Sequence, residues 1–154
     1  MIRACVLAAG IFGALGVCAG ALGAHALSGV LTGRDWESYH TAVRYQLFHA
    51  LALLAVGGLA GLCPPRLKAF PARAMRLAVW AFVPGTVLFS GGIYVWLATG
   101  LKPVVHVVPV GGVLLAAGWV ALAVAGLGLG LRVGREDGSP RGSPAEMEQP
   151  QDAA

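Results

Sequence analysis

The chain has 154 residues, of which 57% are hydrophobic and only 12% charged. A water-soluble domain carries about 25% charged residues, so this chain has too little charge to cover an aqueous surface. The net charge is +4, but the basic residues gather at the ends of apolar runs and form no face interleaved with aromatics, which sets nucleic acid aside as a partner.

Residues 4–24 form a first apolar run with no charge after Arg3. Crossing a ~30 Å hydrocarbon core takes about 20 residues, so this run is long enough to span. Its small residues Ala9, Gly13, Gly16, Gly20 and Ala24 recur at helical spacing, and Gly16-x-x-x-Gly20 predicts a close helix–helix approach. The Met-Ile-Arg start and Ala24-His-Ala26 also fit a secretory signal. The run, however, exceeds the usual core of about 7–15 residues, and we expect it to be retained as a span. Cys5 and Cys18 sit about 20 Å apart along one helix and cannot bridge; with Cys63 they read as free thiols.

Residues 28–41 are the first connection. Thr32-Gly-Arg-Asp35 resembles a helix start. Trp36, Tyr39, Val43 and Leu47 then recur at spacings of three and four, opposite Glu37, Ser38, Thr41 and Arg44. This predicts a short amphipathic helix at the headgroup level, where aromatic rings are favoured, running or bending into the second span. That span covers residues 45–63 and ends at Cys63-Pro64-Pro65. Tyr45, Gln46 and His49 are expected to share one face, and Gly57-x-x-x-Gly61 offers another close approach.

The connection 65–76 holds Arg66, Lys68, Arg73 and Arg76 and no acid. Residues 77–98 form the third span. Thr86, Ser90 and Tyr94 make a polar stripe along it, and Pro84 is expected to kink it. For Thr and Ser the plainest role is a bond to their own helix four residues back. Thr99-Gly-Leu-Lys102 is a tight connection, and residues 104–131 form the fourth span, weakened near its start by Pro109-Val-Gly-Gly112. Residues 133–154, rich in Pro, Gly, Ser, Glu and Gln, are expected to be a disordered tail, because they cannot bury enough apolar surface.

The fold class that follows is an all-α integral membrane protein: four transmembrane helices within residues 1–132, with a short amphipathic interfacial helix between the first two. An even number of spans puts both termini beside the 64–76 connection, with eight of the eleven Lys and Arg residues. Positive charge marks the cytoplasmic side, so both termini are expected there. At the opposite rim the hairpins are expected to gather His25, Tyr45, Gln46, His49, Lys102 and His106, with Ser90 and Tyr94 leading toward them from mid-membrane. Ionisable groups inside a membrane are functional candidates by default; neutral histidines bonded between helices are the plainer alternative. No His or Cys pair stands at metal-ligand spacing, and no nucleophile elbow or phosphate loop is present. We therefore expect no enzyme activity, cofactor or metal.

Several short motifs, taken in order, are similar to one family. They are Gly23-Ala-His-Ala-Leu27, Tyr45-Gln46-x-x-His49-Ala-Leu-Ala-Leu53, Leu88-Phe-Ser-Gly91 with Tyr94, Thr99-Gly100, and Pro109-Val-Gly-Gly112 with Gly118-Trp119. The chain resembles, over roughly residues 5–130, domain-of-unknown-function family 423, small bacterial inner-membrane proteins related to vertebrate transmembrane protein 256. The resemblance implies a four-span protein of the bacterial inner membrane and supplies no catalytic or ligand residues. The tail after Gly134 departs from the family's compact ending, and Ser90-Gly-Gly92 replaces the more usual Ser-Gly-Ser. The expected role is a non-enzymatic structural or accessory membrane component, partnered by the lipid bilayer and by a second copy or another membrane protein. A small transporter or proton-conducting protein using the His/Tyr/Gln cluster, and a metal or haem binder, are the alternatives.

Overall fold

A computed structural model describes residues 1–62 and 69–136. The helices in chain order are α1 (Ile2–Leu22), α2 (Gly33–Leu62), α3 (Ala69–Thr86), α4 (Gly92–Thr99), α5 (Lys102–Val105) and α6 (Val107–Glu136). Wider π-type turns at Gly23–Leu27 and Val87–Gly91 extend α1 and join α3 to α4. Four stretches are long and apolar enough to cross a membrane: Ile2–Leu27, Gly33–Leu62, Pro71–Thr99 and Lys102–Gly128. The expected disordered tail lies outside the described residues except for 133–136, which continue α6.

The expected interfacial helix and second span form one rod of 30 residues, about 45 Å long. No proline or glycine lies between Arg34 and Val56 to interrupt it, so the amphipathic start runs straight into the apolar half. Gly33, with φ +55°, turns the chain into this helix. α3 begins at Ala69, eight residues before the apolar stretch that marks the expected span. Arg73 and Arg76 therefore lie on helix turns, since arginine is a good helix former and charge at a membrane surface does not stop a helix. Arg66 and Lys68 lie outside the described residues.

The two prolines act differently. The helix carries on through Pro84 and opens into a π-type turn three residues later. Pro109 has no N–H for the carbonyl of Val105, and its ring crowds that carbonyl. The fourth span accordingly breaks at His106, leaving α5 as a single turn before α6. Gly100, at φ +68°, closes α4 in the left-handed conformation that glycine takes without strain.

α1 packs along α2, and α3 packs along α6; the two pairs meet where α2 crosses α3, the Val87–Gly91 turn and α4. Leu53, Val56, Ala78 and Phe82 are completely buried at this meeting. Missing side chains let the backbones close in. A Cβ on Gly111 would stand 2.5 Å from the backbone nitrogen of Phe89, and one on Gly118 would stand 2.5 Å from the Phe82 ring. The two Gly-x-x-x-Gly pairs face each other's helices: Gly16 lies under Leu47 and Gly20 under Val43, while Gly57 meets Cys5 and Gly61 meets Ile2.

Candidate functional site

The bonds between spans converge on α2. Tyr39 and Gln46 are seven apart, which on a helix brings them within about 20° of one face. Both face α1. The Tyr39 hydroxyl donates to the carbonyl of Ala19, and Gln46 Nε2 donates to the carbonyl of Phe12 at 2.9 Å. Ala42 and His49, also seven apart, face the other pair of spans. The carbonyl of Ala42 accepts from Ser90 Oγ at 2.8 Å, and His49 Nε2 accepts from Trp119 Nε1 at 3.2 Å. One helix is thereby bonded to all three others. Ala42, fully buried and small, allows the Ser90 hydroxyl to reach backbone.

The partners settle the state of His49. Its Nδ1 lies 2.7 Å from the carbonyl of Tyr45, which can only accept. Indole nitrogen can only donate. Together they require an imidazole with its hydrogen on Nδ1 and its lone pair on Nε2, both engaged. Around it, Phe82 lies 5.3 Å away, Tyr45 5.9 Å and Trp119 6.1 Å between ring centroids, and Tyr45 stacks on Phe89 at 4.7 Å.

The expected single rim cluster is divided. Tyr45 and His49 stay together, joined by Phe82, Phe89 and Trp119. Gln46 turns to α1 instead, so the three residues expected on one face serve two neighbours. The reason is angular: Gln46 stands 100° from Tyr45 and 60° from His49, enough to select another helix. His25, in the π-type turn after α1, and Lys102 and His106, in and after α5, are exposed and contribute nothing to the buried cluster. The polar stripe also separates. Thr86 Oγ1 donates to the carbonyl of Phe82 in its own helix at 2.8 Å, while Ser90 bonds α2. Tyr94 packs against Tyr39 at 5.6 Å, its hydroxyl buried without a partner among the described residues.

Trp119 and Tyr39 are the residues that sequence reasoning missed. Trp119 reads as one more large side chain in an apolar helix, and Tyr39 as a headgroup-level ring. Their N–H and O–H are the signal, because a polar hydrogen inside a membrane needs an acceptor.

Two clefts flank the α2–α3 crossing. One, of about 750 Å³, opens between α1 and α4 beside Tyr39, Gln46 and Tyr94; the other, of about 700 Å³, lies between α2 and α6 beside His49 and Trp119. Among the described residues, no three His, Cys, Asp or Glu side chains come together as a metal site.

Four spans with their polar bonds turned inward define a small polytopic α-helical membrane protein. The chain belongs to the family described as "Protein of unknown function (DUF423)", whose model matches residues 19–112. It is 35% identical over 133 residues to the UPF0382 inner membrane protein YgdD of Escherichia coli, covering 82% of this chain and 92% of that one. It is 34% identical over 111 residues to the UPF0382 membrane protein YwdK of Bacillus subtilis, covering 72% and 85%. No solved structure matches.

Proposed function

We propose that the protein is a non-enzymatic structural or accessory component of the bacterial cytoplasmic membrane, with both termini inside the cell. The observation that carries this reading is the use of the buried polar side chains. Gln46, His49 and Ser90 each engage another span, and Thr86 engages its own helix. Both His49 nitrogens are occupied, so a proton relay or metal would first have to break the bond to Trp119. Eight of eleven Lys and Arg residues on the terminal side support the orientation, and the Escherichia coli relative's name supports the inner membrane.

The experiment is extraction in mild detergent with crosslinking, followed by mass analysis. A stable homo-oligomer or a stoichiometric membrane partner is the expected result. A lone monomer, or liposomes showing a pH-dependent flux that His49→Ala abolishes, would overturn the reading. A reporter fused after Ala154 should be active only in the cytoplasm.

A further inference from the structure

A third cleft, of about 720 Å³, lies between the start of α1 and the second half of α3 with the turn that follows it, lined by Ala4, Arg76, Trp80, Val83, Val87 and Leu88 among others. It differs from the 750 Å³ cleft farther along the same side, which no charged residue lines among the described residues. Here Arg76 stands at the mouth. Arg73, one turn before it, and Arg3, on the first turn of α1, are exposed at the same end. Neither α1 nor α3 contains an acid, so no carboxylate on either wall competes for these guanidiniums.

The depth of the cleft fits one leaflet. From Arg76 to Val87 is eleven residues, about 16 Å along a helix, against a leaflet of about 15 Å of hydrocarbon. Trp80, 76% exposed, sits one turn below Arg76, where an indole meets the headgroup boundary. Below it the lining residues of this span are Val83, Pro84, Val87 and Leu88, all apolar.

We propose that this cleft binds one anionic phospholipid, its phosphate held by Arg76 and an acyl chain lying along Val83, Val87 and Leu88 against Ala4. Guanidinium suits phosphate because its planar fork can make two parallel charge-assisted bonds. Basic clefts between spans are a recurrent headgroup site. A zwitterionic lipid would carry its own cation to the arginines and gain less.

The test is native mass spectrometry of the full chain titrated with dioleoylphosphatidylglycerol or dioleoylphosphatidylcholine. One phosphatidylglycerol per chain should persist at activation energies that strip phosphatidylcholine. Arg76→Gln should weaken retention about tenfold, the effect of losing one hydrogen-bonded charge contact. Val83→Trp, which fills the groove and leaves every charge in place, should weaken it comparably. Arg34→Gln, at the other end of the bundle, removes the same charge and should change nothing. Equal retention of the two lipids, wild-type retention by Arg76→Gln or by Val83→Trp, or an equal loss in Arg34→Gln would overturn the proposal. Helical circular dichroism of each variant separates lost binding from lost folding.

Discussion

Across its most apolar window, each of the spans Gly33–Leu62 and Pro71–Thr99 has a mean hydropathy of 1.5 and is 39% buried; Ile2–Leu27 and Lys102–Gly128 reach 2.2 and are only 17% buried. The more apolar helices are thus the more exposed. In water the relation would run the other way. With hydrocarbon as solvent, apolar side chains lose nothing by facing out, and polar ones gain partners by facing in. Among the described residues the buried polar side chains Gln46, His49, Thr86 and Ser90 all lie on the central pair. The flanking helices contribute mainly acceptors, small residues and one indole N–H.

This contrast can be broken first at the closest backbone contact. Gly111→Val would drive a methyl-bearing carbon into the backbone at Phe89. We expect no monodisperse protein on size exclusion after extraction. Gly126→Val, on the same helix with open space around it, should elute as wild type. Next comes Phe82→Ala, which empties the centre between His49 and Trp119. A cost of about 3–5 kcal/mol is expected in detergent unfolding.

Smaller effects sharpen the picture of α2 as the connecting helix. Gln46→Leu and Ser90→Ala each remove one interhelical bond, and each should cost about 0.6–1.7 kcal/mol. Because one bond joins α1 and the other the α3–α4 turn, the double variant should lose the sum within about 0.5 kcal/mol. Smallest of all, Val17→Ala and Leu127→Ala, on outer faces, should shift stability by no more than about 0.5 kcal/mol.

The spans were legible because twenty apolar residues have one use, and the Gly16/Gly20 and Gly57/Gly61 pairs did mark where α1 meets α2. The choice of neighbour was not legible. Periodicity fixes the angle between Gln46 and His49 but not which helix stands at each angle; that depends on how α2 crosses α3, where Phe82, far along the chain, packs against His49. The start of α3 was hidden for a different reason, since an apolar count stops at arginine while hydrogen bonding does not. Tyr94 departs from the pattern of its neighbours on the stripe, its hydroxyl being buried with no partner among the described residues.

The most direct test places a spin label at single-cysteine positions in a Cys-free background reconstituted in lipid bilayers, and reads collision with oxygen and with a water-soluble nickel chelate. The account predicts high oxygen and low nickel contact at Leu127, Leu51 and Val17, and low contact with both at Val56 and Ala78. Nickel contact at the first three, or oxygen contact at the last two equal to that at Leu127, would contradict it.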